Sequence, residues 1–538
     1  MVRTGADAAG RTSYAHLTFA QLGAQRDTFV HGLQAAGIER GMRVVLMVRP
    51  GLDFLPLCFA LFKIGAVVVL IDPGMGRKNL IRCIKHTQPE GFIGIPQAQL
   101  ARLIFRKAFR SVKVSITIGK RYCWGGPDLK DLTAHGAEAI EPCPAAEDDP
   151  AAVIFTTGST GPPKGVVYTH GMFRCQTATL RDAFELTPDD VDMPGFALFA
   201  LFSISMGLTV VLPEMDPTRP AAINPERVLE VVRDHGATFS FGSPALWNTV
   251  SRYCEEKGFS LPSLRTVVMA GAPIPPSLHN RMLGGILMAD ADVHTPYGAT
   301  ECLPVSNFQG SKVLGETAQL TAAGKGYCVG PTVPGVSVRI VKIRDHAVPR
   351  IAELEDMPTG EVGEILVQGP NVSRSYYRLP EQTAAHKVYE SDDTDGPFYH
   401  RIGDLGYVDD QQRLWFCGRK AHRVETSDGV LLTVCCEAII NQHPYIYRSA
   451  LIGLGDRPNQ RPLFVVEPEA GHYPESAAAR EKLAGELLAA AAANPVSRPV
   501  RTILFRRALP VDIRHNAKIF REQLRPWAEQ NLSEAIDA

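Results

Sequence analysis

Residues 155–165 have the sequence FTTGSTGPPKG, and they follow an apolar run at residues 151–155 that predicts a β-strand. Three glycines let the backbone turn tightly and bring N–H groups close to an anion. Three threonines and a serine add hydroxyl donors, and Lys164 adds a positive charge. This combination is typical of a loop that binds a polyphosphate. The predicted binding residues are Thr156, Thr157, Gly158, Ser159, Thr160 and Gly161.

Three other interpretations of this loop agree less well with its sequence. A Walker A loop has Gly-Lys followed by Ser or Thr, whereas here the order is Lys164-Gly165. A hydrolase nucleophile elbow has Gly two positions before its Ser, and position 157 is Thr. A flexible Gly/Ser linker would not be rich in threonine and bracketed by apolar strands. The polyphosphate loop therefore remains the favoured interpretation.

The composition is that of a folded protein with more than one domain. The chain has 538 residues, 45% hydrophobic and 21% charged, which is too long for one hydrophobic core and too apolar for disorder. Lys and Arg total 56 against 57 Asp and Glu, so no basic excess indicates nucleic acid. We also expect no polybasic run beside an apolar helix of the kind that binds anionic lipid.

The cysteines and the N-terminus predict a cytoplasmic protein. The 11 cysteines are scattered, with neither the spacing of a disulfide framework nor that of a zinc site. We therefore expect reduced thiols. The first residues contain no apolar segment typical of a secretory signal.

Residues 193–213 form an uncharged stretch of 21 residues, long enough in principle to span a bilayer. Pro194 lies at its start and Pro213 at its end, Gly and Ser interrupt it, and acidic residues precede it without a flanking basic cluster. We expect a buried helix and strand that line the core or an acyl pocket. A membrane span is the alternative.

Apolar, strand-like runs alternate with amphipathic ones, which predicts an α/β fold with βαβ units and largely parallel sheets. Examples are a helix at Pro244–Lys257 followed by a strand at residues 266–270. After residues 418–423 the pattern changes, and a tail of small-domain length includes an Ala-rich helix at residues 477–493. The expected domains are residues 1–418 and residues 419–538.

Further motifs identify the chain as a member of the adenylate-forming superfamily, which includes acyl-CoA synthetases, adenylation domains and luciferases. The resemblance covers nearly the whole chain, beginning with the loop at residues 155–165. It implies a large N-terminal domain and a small, mobile α+β C-terminal domain, with ATP and Mg²⁺ as cofactors. The implied adenine-binding segment is Gly271, Ala272 and Pro273, which follows a predicted strand.

The stretch Tyr297-Gly-Ala-Thr-Glu301 resembles the YGxTE motif of this superfamily. The resemblance implies that Tyr297 stacks on adenine, that Thr300 contacts the α-phosphate and that Glu301 ligates Mg²⁺. An aromatic face suits a purine, and a hard carboxylate oxygen suits Mg²⁺.

Three residues nearer the C-terminus complete the implied site. Asp404, after Gly403, matches the acid that binds ribose, and Arg419 matches the arginine beside the interdomain hinge. The segment from Pro510 to Arg521 resembles the closing motif of the family, whose lysine is Lys518 here. Lys518 is implied to stabilise charge during adenylation.

The departures from the family pattern concern the hinge and the last motif. Ile402 replaces the usual Thr, and Ala517 replaces the usual Gly before the lysine. Ala421 stands where the hinge normally has Asp or Lys. Because ligases that use coenzyme A rotate at this hinge, thioester formation is in doubt while adenylation is not.

The uncharged stretch at residues 193–213, which we expect to line the acyl pocket, contains Phe196, Phe199 and Phe202. Such a pocket suits a long aliphatic acid better than an amino acid. Together with Ala421 and Cys435-Cys436, this stretch resembles the β-lactone synthetases of bacterial long-chain olefin biosynthesis. That branch implies a 2-alkyl-3-hydroxyalkanoate substrate, and a β-lactone decarboxylase and an NADPH-dependent reductase as partners. A fatty acyl-CoA or acyl-AMP ligase and an inactive nucleotide- or lipid-binding scaffold are the alternatives.

Overall fold

The computed structural model describes residues 1–7, 12–136, 138–156, 162–216, 218–512 and 518–538. Residues 157–161 of the phosphate loop, and Ala517 before Lys518, lie outside the described residues. Among the described residues, four larger sheets and three two-stranded ones organise the chain.

The first sheet has six strands, of which five run parallel and the last pairs antiparallel with its neighbour. The second sheet has five parallel strands. In spatial order, the strands of the first are Val114–Thr117, Gly91–Gly94, Arg43–Met47, Val67–Leu70, Pro150–Thr156 and Lys164–Thr169, and those of the second are Thr209–Val210, Val191–Asp192, Phe239–Gly242, Thr266–Met269 and Asp292–His294.

The third sheet is antiparallel, and the fourth is mixed. The strands of the third are Tyr327–Gly330, Leu414–Arg419, Phe398–Val408, Gly363–Gln368 and Ser337–Val341, with Lys387–Tyr389 against the central strand; those of the fourth are Ile446–Leu454, Arg461–Pro468, Thr502–Phe505 and Ile536–Asp537. The pairs are Val2–Ala6 with Thr12–Ala15, Tyr297–Ala299 with Cys302–Ser306, and Val424–Thr426 with Gly429–Leu431.

Helices cover the sheets on both faces. The α-helices are Phe19–Ala35, Phe54–Ile64, Arg77–Thr87, Pro96–Ile104, Leu129–Thr133, His170–Ala183, Ala200–Ser205, Pro225–His235, Pro244–Lys257, Pro276–Arg281, Gly310–Lys312, Ala318–Ala322, Pro380–His386, Thr433–Ile440, Ala477–Ala493 and Arg521–Gln530. Short 3₁₀ segments include Ala197–Phe199 and Lys420–His422. The prediction of an α/β fold with a smaller C-terminal sheet is confirmed.

Local signals explain where several helices begin and end. In Pro244–Lys257, the Ser243 hydroxyl accepts a hydrogen bond from the Leu246 N–H, and Gly258 ends the helix with a left-handed φ of 69°. The helix therefore has the bounds that the sequence predicts.

The uncharged stretch 193–213 folds as expected into short helices and a strand, Ala197–Phe199, Ala200–Ser205 and Thr209–Val210. No helix in the described ranges is long and apolar enough to cross a membrane, so the alternative of a span at this stretch is wrong. All 11 cysteines are unpaired thiols.

A buried carboxyl supports this stretch. Asp192 Oδ2 accepts a hydrogen bond of 2.6 Å from Ser203 Oγ, which ties the strand Val191–Asp192 to the helix Ala200–Ser205. Burial raises the pKa of Asp192 to about 7, although the hydrogen bond from Ser203 lowers it. The folded protein therefore holds a proton here that the unfolded chain releases near pH 4.

We expect Asp192→Asn to stabilise the protein in a pH-dependent way. Between about pH 4 and 7 the unfolded state binds fewer protons than the folded state, so wild-type stability falls as pH rises through this window. Its free energy of unfolding should exceed that of the wild type by on the order of 3 kcal/mol at pH 8 and should equal it at pH 4, as measured by urea unfolding. Asp189→Asn, at an exposed carboxyl nearby, is the control. A gain that does not depend on pH would contradict the assignment.

Candidate active site

Most of the predicted site residues in the described ranges converge on one cleft of about 2620 Å³. The cleft is bounded by the loop ends of the first two sheets, the third sheet and the segment that carries Lys518. Seven predicted residues line it: Lys164, Gly271, Tyr297, Thr300, Glu301, Arg419 and Lys518. Ala272, Pro273 and Asp404 are not among the described lining residues. The predicted binding residue Thr156 ends the strand Pro150–Thr156.

The turn between Tyr297–Ala299 and Cys302–Ser306 presents Thr300 and Glu301. A side chain at Gly298 would lie 2.6 Å from the Cys302 carbonyl oxygen, so the turn requires glycine. The Tyr168 hydroxyl donates a 2.5 Å hydrogen bond to the Thr300 carbonyl oxygen and anchors the turn to the first sheet.

Glu301 is held in place by an aromatic hydroxyl. The Tyr376 hydroxyl donates a 2.7 Å hydrogen bond to Glu301 Oε1. The described residues hold no group of three or more His, Cys, Asp or Glu able to bind a metal ion. Mg²⁺ commonly binds through one or two carboxylates together with substrate phosphates and water, so Glu301 suits the role that the sequence predicts.

A buried carboxylate joins the nucleoside side of the cleft. Asp404 is 2% exposed. Its Oδ2 accepts a 2.6 Å hydrogen bond from the Tyr297 hydroxyl, and its Oδ1 lies 2.9 Å from Arg419 Nε. Burial raises the pKa of Asp404, and the Arg419 guanidinium opposes that rise. Among the described residues, Oδ1 is a buried acceptor with no hydrogen-bond partner, although the Arg419 guanidinium lies beside it. The role of Asp404 towards ribose stays a prediction.

Lys164 lies on the opposite wall. Its Nζ is 3.2 Å from His386 Nε2 and 5.0 Å from the centre of the Tyr376 ring. Burial lowers the pKa of Lys164, and the Glu301 carboxylate raises it. A lysine that is partly desolvated beside Glu301, the predicted ligand of Mg²⁺, is well placed to contact phosphate oxygens.

Lys518 reaches the cleft from the C-terminal segment. Its backbone N–H donates a 2.8 Å hydrogen bond to Asp512 Oδ1. Burial, and then the nearby Arg419 guanidinium, lower the pKa of Lys518 to about 8. Arg419 and Lys518 are thus neighbouring positive charges, which suits the stabilisation of negative charge on a phosphate that is being displaced.

Three residues behind Lys164 belong to none of the motifs in the sequence. The Lys387 ammonium, 1% exposed, donates to the Ser373 carbonyl oxygen and lies 3.1 Å from His400 Nδ1. The His386 and His400 rings stack 6.2 Å apart. Burial lowers the pKa of Lys387 to about 7 and that of both histidines. A lysine and two histidines within residues 386–400 were the available signal, but spacing alone does not show that they meet.

An aromatic wall borders the cleft where the acyl pocket is predicted. The Phe199 ring stacks on Phe241 at 4.0 Å and lies 5.5 Å from Phe202, which in turn is 6.0 Å from Phe173. All four line the cleft, as does Phe196. The wall suits a long aliphatic chain.

The fold and this set of residues define an adenylate-forming enzyme, and comparison with known proteins agrees. The family described as AMP-binding enzyme matches residues 2–377. Olefin beta-lactone synthetases of Xanthomonas campestris pv. campestris and Stenotrophomonas maltophilia are each 45% identical, over 98% and 96% of this chain and 93% and 92% of theirs. The chain belongs to the AMP-binding enzymes and, within them, to the family of the olefin β-lactone synthetases.

Solved structures share the fold along almost the whole chain. Amide bond synthetase McbA from Marinactinospora thermotolerans has a TM-score of 0.78 at 23% identity, covering 98% of this chain and 96% of that one. ATP-bound MatB from Rhodopseudomonas palustris has a TM-score of 0.76 at 22% identity, with the same coverage. The prediction of an ATP-dependent, AMP-forming ligase with ATP and Mg²⁺ as cofactors is confirmed.

Replacing Lys518 tests its role. We expect Lys518→Ala to slow pyrophosphate release about 10²–10³-fold, the scale for losing one preorganised charge, while ATP still binds. Because the charged form of Lys518 is required and its pKa is about 8, the wild-type rate should also fall above pH 8. Pyrophosphate release between pH 6 and 9 measures both effects. Lys482→Ala, at an exposed lysine of the same C-terminal region, is the control. Normal turnover of Lys518→Ala would remove Lys518 from the site.

Proposed function

We propose that this protein activates a long-chain 2-alkyl-3-hydroxyalkanoic acid as its acyl-AMP and closes it to a β-lactone in olefin biosynthesis, with release of pyrophosphate and AMP. The observation that carries the proposal is the uncharged aromatic wall beside Lys164, Glu301 and Lys518 in a chain 45% identical to olefin β-lactone synthetases. The wall offers no charge to a second carboxylate or an amino group, so it favours an aliphatic acid.

In the first half-reaction, a carboxylate oxygen of the acid bonds to the α-phosphorus, and pyrophosphate leaves. Lys518 and Arg419 offset the repulsion between the two anions, and Lys164 contacts the departing phosphates. Tyr376 orients Glu301, the proposed Mg²⁺ ligand. The bound metal supplies charge neutralisation for the phosphates.

In the second half-reaction, the 3-hydroxyl oxygen bonds to the carbonyl carbon, the bond to the phosphate oxygen breaks, and the electron pair leaves with AMP. The nucleophile belongs to the same molecule, so orientation within the cleft replaces a second substrate. The aromatic wall keeps water from the mixed anhydride.

Ring closure also requires an acceptor for the hydroxyl proton, and we propose His386. Its Nδ1 lies 2.8 Å from the Gln382 carbonyl oxygen, so Nδ1 carries the hydrogen and Nε2 has a free electron pair. Burial, and then Lys164, lower the pKa of His386, so its ring is neutral at pH 7. When Lys164 turns to the phosphates of ATP, Nε2 is left facing the cleft.

We propose residues 419–538 as a lid domain that carries Lys518. The strand Leu414–Arg419 belongs to the third sheet, and the short helix Lys420–His422 follows it. Lys420 pairs with buried Glu364 at 2.9 Å, and Arg423 pairs with Asp345 at 2.6 Å. These pairs hold the junction in this arrangement. A small rotation at Ala421 would move Lys518 relative to the cleft.

Within the same proposal, the protein acts in the cytoplasm with a β-lactone decarboxylase and an NADPH-dependent reductase. A strained lactone is the product of ring closure, so an enzyme that removes carbon dioxide from it is a chemically sensible next step. A reductase would produce the 3-hydroxyl of the substrate by reducing a ketone.

A long-chain fatty acyl-CoA or acyl-AMP ligase is the second candidate. The long-chain-fatty-acid–CoA ligase of Thermus thermophilus is 26% identical over 84% of this chain. Ala421, in place of the charged hinge residue, favours an enzyme that does not open a coenzyme A channel. An inactive scaffold is disfavoured because Lys164, Glu301 and Lys518 all line the cleft.

The product distinguishes these candidates. We expect ATP and a 2-alkyl-3-hydroxyalkanoate to yield AMP and a β-lactone without coenzyme A, identified by mass spectrometry. Pyrophosphate release should stop when the acid is omitted or Mg²⁺ is chelated. The matched acid without its 3-hydroxyl should give acyl-AMP and no lactone. An acyl-CoA product, or a strict need for coenzyme A, would exclude lactone formation and leave only adenylation.

His386 should control the second half-reaction alone. We expect His386→Ala to keep pyrophosphate release within a few-fold and to lower lactone formation by roughly 10²-fold, the scale for losing one general base. Acyl-AMP or its hydrolysis product should accumulate, which chromatography of quenched reactions measures. His346→Ala, at another histidine of the cleft wall, is the control. Lactone formed at the normal rate from acyl-AMP would exclude His386 as the proton acceptor.

A further inference from the structure

Positive charge is concentrated in one segment of this nearly neutral chain. Residues 73–127 contain eleven Lys and Arg and a single carboxylate, Glu90. That carboxylate is already paired with Arg43. The balanced charge of the whole chain therefore conceals a local excess of positive charge in this segment.

The fold places this charge on one face of the first sheet. The helices Arg77–Thr87 and Pro96–Ile104 and the turns at residues 105–112 pack through a common apolar cluster that includes Cys83, Ala98 and Phe109. The helix Phe54–Ile64 belongs to a different cluster. We call the outer surface of residues 77–113 the basic face. Its positively charged residues are Arg77, Lys78, Arg82, Lys85, Arg102, Arg106, Lys107, Arg110 and Lys113.

The basic face is exposed and lacks carboxylate partners. Eight of its nine Lys and Arg side chains are exposed, and Arg102 is half-buried. In the described parts of the chain, none of the nine forms an ion pair with Asp or Glu. Such an array of unpaired cations produces a positive potential that attracts an anionic surface.

Large apolar side chains stand among these cations. Leu100 is 53% exposed and Ile104 is 64% exposed; they lie four residues apart on one side of the helix Pro96–Ile104. Phe105, at the end of this helix, is 40% exposed. Exposed aliphatic and aromatic side chains ringed by Lys and Arg are the pattern of a surface that lies in a membrane interface.

The active-site cleft extends to the same two helices. Its wall includes Leu80 and Cys83 of the first helix and Ala98 and Ala101 of the second. Arg77, Arg82 and Lys85 line the cleft beside these apolar side chains, so an acyl chain at the basic face would meet a mixed apolar and cationic entrance. Leu100, Ile104 and Phe105 do not line the cleft, so they are available for another contact.

We propose that the basic face docks on an anionic lipid bilayer, with Leu100, Ile104 and Phe105 entering the interface and the cations contacting lipid phosphates. The long-chain acid then passes from the bilayer into the cleft between the two helices. The entry route rests on the proposed function, whereas the docking itself does not. An acidic protein would also suit the charge, but it does not account for three exposed apolar side chains beside a cleft that admits lipid.

Co-sedimentation with vesicles tests the docking without ATP or acid. We expect binding to phosphatidylcholine vesicles that contain about 30% phosphatidylglycerol and little binding to pure phosphatidylcholine, since each Lys or Arg contributes mainly near an anionic surface. Binding should weaken in ~1 M salt, where the Debye length falls to about 3 Å.

Matched variants assign the surface. The triple variant Arg106→Glu, Lys107→Glu, Arg110→Glu should bind anionic vesicles roughly 10²-fold more weakly, at about fivefold for each charge lost near the surface. Ile104→Ser with Phe105→Ser should also weaken binding. The control triple variant Lys312→Glu, Lys482→Glu, Arg501→Glu makes the same charge change at exposed sites elsewhere and should bind normally. Circular dichroism verifies that each variant is folded.

An activity measurement separates this proposal from the proposed function. The basic-face triple variant should turn over detergent-dispersed acid normally and lose turnover of acid embedded in anionic vesicles. Equal binding to neutral and anionic vesicles, or unchanged binding by the triple variant, would overturn the docking. Capture of an acidic protein by the basic face without any vesicle binding would overturn it too. Vesicle binding by an enzyme that makes a thioester would leave the docking intact and overturn only the proposed function.

Discussion

The buried carboxylate of Asp404 is the constraint on which the site depends. It faces Arg419 across two antiparallel strands and accepts a hydrogen bond from the Tyr297 hydroxyl. One acidic group thus joins the turn at Tyr297–Ala299, the third sheet and the beginning of the C-terminal segment. Removing it would leave the Arg419 guanidinium without its carboxylate partner, which is costly in a desolvated position. Burial of a charge is tolerated here because its partners are oriented before any ligand arrives.

Positively charged side chains from distant parts of the chain also line the cleft. Lys164, Arg419 and Lys518 line a cleft whose other wall is aromatic. The pKa values of both lysines are lowered mainly by burial, so each ammonium is poorly solvated. A polyphosphate replaces the missing water with anionic oxygens, and this exchange favours binding. In the proposed function, adenylation would use groups that are poorly solvated in the free enzyme and paired by the substrate.

The same cleft connects two environments of opposite character. Its phosphate end is polar and cationic, while its acyl end is lined by phenylalanines, and the cleft wall also includes residues of the helices Arg77–Thr87 and Pro96–Ile104. A substrate with a polar head and long alkyl chains matches both ends at once. In the two proposals, positive charge would bind phosphate groups both inside the cleft and on the basic face.

The sequence by itself determined the motifs, their order and many local elements. The helix Pro244–Lys257 could be bounded from Ser243 and Gly258, because capping and left-handed backbone geometry are local properties. The family and the cleft residues Tyr297, Glu301 and Lys518 followed from short motifs in a fixed order.

Only the tertiary structure decided which separate segments meet. His386 and His400 lie near Lys164 because the strand Phe398–Val408 pairs with Lys387–Tyr389, a pairing across a turn that no local pattern specifies. The antiparallel third sheet and the basic face depend in the same way on non-local contacts. Burial sets the low pKa of Lys387 and the raised pKa of Asp192, and burial is a property of the packed chain. Periodicity and capping are encoded over a few residues, whereas desolvation and cross-strand register arise only when distant residues pack together.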